Sequence, residues 1–249
     1  MAEGGVRIWA NYAPTKNYVW FGDVALGLQH GDDSALCWIC CETGEQVAEY
    51  HGKIHGMELG EIAYDMGEYY GWAYGCFENN HDQTPNNKLV EMGYPQLHYE
   101  QKLGQKSGPQ DTLKPGWNTN TLTRYWMVRH AQTWVNDGSL TIRSTILLDQ
   151  MEIFAQNARG KYEAIPGGHD DVVFGFLGCA QMWAVWMKRH EVGDTISPMI
   201  GDKTVSKGIL GDDLLTDAEH TTREERISKA ALERMEREQR EEEMEGMVW

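Results

Sequence analysis

Three places in this chain set acids against the grain of their surroundings. Asp23 interrupts the apolar run VWFGDVAL, Glu78 closes the run WAYGCFE, and Asp170 and Asp171 open the stretch GGHDDVVFGF. Carboxylates this far apart do no joint chemistry unless a fold gathers them. Once gathered and partly buried they repel one another, and each is costly to keep ionised. A divalent cation removes that cost. Oxygen-only ligands favour a hard ion, magnesium or manganese, over zinc. Two such ions about 4 Å apart activate a water and stabilise the leaving oxygen of a phosphodiester. Each acid also has a plain structural reading. An Asp at a helix start satisfies free amides and the helix dipole. Glu78 would be a solvated strand end, and Asp32, in HGDDS, a turn residue. Asp23 is the hardest to explain away, and the set carries more weight than any member.

Apolar periodicity supplies the elements that must position these acids. Residues 17–26, 34–41 and 46–54 read as strands joined by short links, hence an antiparallel meander. Leu59, Ile62, Ala63, Met66 and Tyr70 recur at helical spacing over residues 57–70. Residues 72–78 form a short strand ending in Glu78. Residues 84–94 form a helix with Pro85 near its start and Gly93 as its stop. A short strand at 96–99 leads into residues 100–118, a loop rich in Gly, Pro and Lys that is long for a compact domain. Helices follow at 119–138, 144–156 and 166–189, with short strands at 140–144 and 161–165. This alternation specifies an α/β sandwich on a mixed sheet.

Composition bounds the function. Net charge is −16; the last 49 residues hold 14 acids and 8 bases, and the other 200 hold 24 and 14. The globular part is therefore itself acidic, which excludes broad non-specific nucleic-acid affinity but not a carboxylate site with a local basic patch. Five cysteines, three of them in CWICC within an apolar strand, read as buried thiols rather than disulfides or a zinc site. No run reaches the roughly 18 to 20 apolar residues of a membrane helix. The opening MAEGGVRIWANY lacks the pattern of a signal peptide, so the expectation is a cytosolic protein without membrane contact. After about residue 191 the chain turns linker-like and then highly charged, with too few apolar residues for a core of its own.

The motifs, taken in order, resemble the nuclease domain of viral (tailed-phage) large terminase subunits. FGDVALGLQHGDDSALCWI carries a strand Gly-x-Asp at Gly22 and Asp23, a glycine loop at Gly27, then Gly31, Asp32, Ser34 and Ala35 opening the next strand. The second acid of the family falls on Glu78. PGWNTNTLTRYW is similar to the family's Gly-Trp-x-Thr segment, here with Thr119, Thr123 and Arg124. GGHDDVVFGF matches its closing Gly-His-Asp-Asp. The resemblance runs from about residue 6 to 190. It implies an RNase H-like mixed sheet, with the first three strands antiparallel and parallel additions after them, flanked by helices. It further implies two-metal endonuclease chemistry on double-stranded DNA during genome packaging, in the host cytoplasm. The family's ATPase domain has no counterpart here, since no G-x-x-x-x-G-K-[ST] occurs. Residues 1–192 are thus expected to be a nuclease domain and 193–249 a linker and charged helical or disordered tail. The expected partners are the ATPase domain, portal or small terminase of a packaging motor.

The roles expected from the residues are as follows. Asp23, on the rigid strand, bridges both ions (Mg²⁺ or Mn²⁺). Glu78 binds one ion and orients water. Asp170 and Asp171 lie about 100° apart on a helix, with Asp171 favoured as the direct ligand and Asp170 auxiliary. Asp32 and His169 are helpers, while His81 is a loop residue. Arg124, Arg129, Lys102, Lys106 and Lys114 are the candidate DNA contacts. Three alternatives stay open: a junction resolvase using the same acids, an actin-like sugar or acyl kinase, and a non-enzymatic docking protein acting through the tail.

Overall fold

The computed structural model describes residues 4–25, 32–80, 82–100, 114–158 and 160–191. Its centre is a five-stranded sheet ordered β1-β4-β3-β2-β5, formed by β1 (Gly5–Ile8), β2 (Tyr18–Asp23), β3 (Ser34–Cys40), β4 (Gln46–Gly52) and β5 (Tyr74–Phe77). β2, β3 and β4 make the expected antiparallel meander, and β1 adds antiparallel to β4. β5 pairs parallel to β2. A parallel return needs a crossover, and α1 (Gly56–Tyr69) supplies it.

β2 and β3 are buried along nearly their whole length, which is why both read as continuous apolar runs. Successive strand residues point to opposite faces, so Trp20 and Phe21 report the two layers. Trp20 donates its indole N–H to the Tyr94 hydroxyl at 3.0 Å, on the side of α1 and of α2 (Thr84–Glu91). Phe21 lies under α5 (Asp171–Glu191), where a Cβ on Gly178 would stand 2.0 Å from its ring. Gly175 rests on Ala35 of β3 in the same way, at an ordinary 3.4 Å. Glycines at these crossings let α5 lie close on β2 and β3. Beside α5 pack α3 (Thr121–Asn136) and α4 (Thr145–Glu152). The result is the expected mixed sheet between two helical layers. No helix among the described residues is long and apolar enough to cross a membrane. All five cysteines are buried free thiols.

Several local expectations are corrected. β1 is an exposed edge strand of four residues, too short for periodicity to register. Asp23 is the last residue of β2 rather than an interior one. The strand expected at 140–144 is reduced to a bridge between Thr141 and Glu45. The Gln46 side-chain carbonyl accepts from the Arg143 and Ser144 amides, both at 3.0 Å, and turns the chain into the start of α4 instead. The helix expected to reach 156 stops at Glu152. Residues Phe154–Gln156 form β8, which pairs with β9 (Tyr162–Ala164), so tertiary pairing overrides helical periodicity. The last helix begins at Asp171 rather than near 166. The ends of the long loop pair as β6 (Tyr99–Glu100) and β7 (Lys114–Pro115). Lys102, Lys106 and His81 lie outside the described residues, as does the expected tail.

Candidate active site

The parallel pair β2–β5 brings the first two acids together. Gly22 stands opposite Phe77, and the Glu78 amide donates to the Gly22 carbonyl at 2.9 Å. Asp23 and Glu78 therefore follow side by side where the two strands end. Glu78 is gripped on its other side by a parallel bridge to Trp117, with the Asn79 amide on the Trp117 carbonyl at 2.8 Å. Backbone pairing on both flanks makes this a rigid platform.

The third acid comes from the start of α5. Asp171, Gly175 and Gly178 fall at i, i+4 and i+7, one stripe of the helix, and the two glycines contact the sheet. Asp171 is thereby aimed at the strand ends and is only 5% exposed. The helix cap comes from elsewhere. The Gln150 side-chain carbonyl accepts from the Val172 and Val173 amides at 2.9 and 3.3 Å. Asp170 supplies the first helical carbonyl, which accepts the Phe174 amide at 2.9 Å. Asp170 Oδ2 accepts the Ala164 amide at 3.0 Å and ties β9 to the helix start. Asp171 Oδ2 is buried with no hydrogen-bond partner, and His169 Nδ1 stands 3.7 Å away, beyond bonding distance.

The electrostatics follow from this gathering. Burial pushes the Asp23 carboxyl well above the usual carboxylate range, and Glu78, Asp171 and Asp170 push it further, with Arg124 opposing. Burial and then the charge of Asp32 push Asp171 up to about 6, while His169 pulls the other way. Asp23 thus stands within the fields of Glu78, Asp171 and Asp170, and Asp32, exposed just before β3, joins through Asp171.

No family model matches the sequence, and no curated protein matches it. Solved structures do match. The large terminase nuclease of thermophilic phage G20c aligns at 15% identity and TM-score 0.55, over 71% of this chain and 87% of that one. Its magnesium-bound form aligns at 14% identity and TM-score 0.56, over 71% and 86%. The large terminase nuclease domain of Thermus phage P74-26 aligns at 16% identity and TM-score 0.53, over 70% and 83%. This chain has the RNase H-like fold of large terminase nuclease domains.

The other expected residues distribute unevenly around this terminase-nuclease fold. Arg124 is half-buried beside the acids, its guanidinium carbon 4.2 Å from the centre of the Phe174 ring and Nη1 donating to the Tyr162 carbonyl at 3.3 Å. Arg129 is exposed further along α3, away from this seat. Lys114 reaches the Asn79 carbonyl at 3.3 Å, next to Glu78. His169 is exposed at the rim. Sequence reasoning passed over three features. Asp33 is ion-paired with Lys53 at 3.3 Å and stands 3.2 Å from the His51 ring, at the ends of β3 and β4. Gln150 is the helix cap, and Arg124 has an aromatic seat. Only the glycine stripe after Asp171 was a signal that could have been used, and it favours Asp171 over Asp170.

Among the described residues no three or more His, Cys, Asp or Glu side chains stand close enough together to hold a metal ion as they are placed. The donor set nevertheless fits a hard cation. It is all carboxylate, its members raise one another's affinity for positive charge, and the buried Asp171 Oδ2 has no hydrogen-bond partner.

Proposed function

We propose that this chain is a divalent-metal-dependent endonuclease that cuts double-stranded DNA during viral genome packaging. The observation that carries this reading is the meeting of Asp23, Glu78 and Asp171 from a strand end, its parallel neighbour and a helix start, with Asp171 Oδ2 buried and unbonded. The terminase nucleases of the same fold, solved with magnesium, cobalt and zinc, support divalent-ion use.

Asp23, Glu78 and Asp171 would hold Mg²⁺ or Mn²⁺, two ions in the working complex. When bound, such ions supply a nucleophilic water at neutral pH and stabilise the leaving oxygen. The chain's residues fix the geometry. β2 and β5 hold Asp23 and Glu78 on paired backbone, and Gln150 caps α5 so that the Asp171 carboxylate stays free. Asp170 fixes β9 against the helix start as an auxiliary group. Lys114, beside Glu78, with Lys102 and Lys106 of the segment that follows β6, receives the DNA backbone, and Arg129 contacts it further out. The partners are the ATPase, portal or small terminase of a packaging motor in the host cytoplasm. The nuclease domain would span residues 1–192, followed in sequence by a linker and charged segment at 193–249.

Plasmid cleavage in Mg²⁺ or Mn²⁺ tests the reading. The wild type should cut, giving a smear on unrelated plasmids, and chelator should stop it. Asp23→Asn, its fold checked by circular dichroism, should reduce cleavage at least about 10³-fold. Full cutting by that folded variant sinks the assignment.

A further inference from the structure

Arg124 is set in a seat built by four elements. It leaves α3 near the helix start, its guanidinium lies over the Phe174 ring of α5 at 4.2 Å, and Nη1 is fixed on the Tyr162 carbonyl of β9 at 3.3 Å. The seat is itself braced. Phe154 of β8 stands edge-on to Phe174, at 5.7 Å between centroids, and stacks on Tyr162 at 6.1 Å. Tyr125 closes on Tyr162 from α3 at 6.4 Å. Among the described residues no carboxylate closes on Arg124 as an ion pair. A guanidinium has five N–H donors in a rigid fork and keeps its charge at any working pH. Here one bond to a neutral carbonyl is in place, and the positive charge reaches Asp23 and, as the smallest of several influences there, Glu163 of β9.

That placement needs a reason. A fixed cation beside a cluster of metal-binding acids repels the incoming ion and lowers its affinity. A clip holding β9 to α3 requires no charge; a neutral donor on the Tyr162 carbonyl would serve. The charge becomes useful when an anion arrives together with the metal. A phosphodiester is such an anion, and its non-bridging oxygens carry the charge that grows during in-line attack.

We propose, resting on the nuclease reading above, that Arg124 is a catalytic residue whose guanidinium binds a non-bridging oxygen of the scissile phosphate. It acts on the transition state rather than on general DNA affinity. Phe174 and the Tyr162 carbonyl are its positioning groups. The role differs from that of a backbone lysine, which tightens binding to any phosphate and steepens its salt dependence.

The test is single-turnover plasmid cleavage in saturating Mn²⁺, with DNA affinity measured separately in Ca²⁺ across a salt series. Arg124→Gln should lower the cleavage rate about 10²-fold while the affinity and the salt slope stay within about twofold of wild type. Arg124→Lys should recover part of the rate, because it keeps the charge and loses the fork. Phe174→Leu should lie between, because the charge stays and its shelf goes. An unchanged rate with a salt slope reduced by about one overturns the proposal in favour of an ordinary backbone contact. A rate loss matched by an equal loss of folded protein in all three variants overturns it in favour of a structural clip. If the wild type cuts no DNA under any divalent ion, the nuclease reading itself falls and takes this proposal with it.

Discussion

Asp171→Asn separates a metal-binding carboxylate from a helix-stabilising one by the sign of its effect. The Asp171 carboxyl is pushed up to about 6 from its usual 3.8, first by burial and then by Asp32. At about 1.4 kcal/mol per unit, holding it ionised costs the metal-free fold about 3 kcal/mol. The raised value fixes the direction. Below about pH 3.8 both folded and unfolded chains are protonated and the group is neutral to stability. Between there and about pH 6 the folded chain alone retains the proton, so stability falls as pH rises; above that the full cost is present. The helix dipole opposes this, but an acid at a helix start gains only about 0.3–1 kcal/mol from it. Asparagine removes the charge and so recovers a net of about 2–2.7 kcal/mol. For a domain of this size that raises the melting temperature by about 4–11 °C. The assay is a pair of thermal melts in chelator, at pH 8 and at pH 4. The variant should be more stable at pH 8 and no more stable at pH 4. Adding Mn²⁺ should raise the wild-type melting temperature, by about 2.7 kcal/mol of stabilisation at a hundredfold excess over Kd, and move the variant much less. A variant less stable than wild type at pH 8 in chelator refutes the reasoning and returns Asp171 to a structural role.

Three further outcomes follow from the packing around the site. Gln150→Ala strips the cap from two α5 amides and should cost about 1–2 kcal/mol, with a weaker response of the melting temperature to Mn²⁺ because Asp171 can then turn to cap the helix; unchanged melts would remove Gln150 from the account. Gly178→Ala places a methyl 2.0 Å from the Phe21 ring and should cost about 1–3 kcal/mol, lifting α5 and lowering cleavage together, as paired melting and activity measurements will tell. Ending the chain after about residue 200 should leave plasmid cleavage unchanged, since residues 193–249 carry too few apolar side chains to support the core; a large loss of activity would mean the tail belongs to the site.

The acids were legible because each broke a strong local pattern. A carboxylate at the close of VWFGD or of WAYGCFE conflicts with the apolar run that buries the strand, and such conflicts concentrate at functional sites. The meander was legible from alternation and short links, and the crossover from the helical spacing over 57–70. What failed were segments governed by partners distant in sequence. β8 carries helical periodicity but pairs with β9, and residues 140–144 carry strand residues but are captured by Gln46, nearly a hundred positions upstream. Arg124 was visible only as a charge on a helix, because its seat is made by Phe174 and Tyr162 from two other elements.

The sequence by itself determined which residue types were available and on which elements they lay: three groups of acids, the strands and the helix that carry them, and the order of the sheet's first strands. Those follow from local periodicity, which the chain writes along its length. Only the tertiary structure decided between neighbours. Asp170 and Asp171 are chemically the same residue one position apart, yet the first is spent on the Ala164 amide and the second is left buried and unbonded on the glycine stripe. That choice depends on where β9, Gln150 and the strand ends arrive in space, and a one-residue rotation of about 100° on a helix is enough to reverse it.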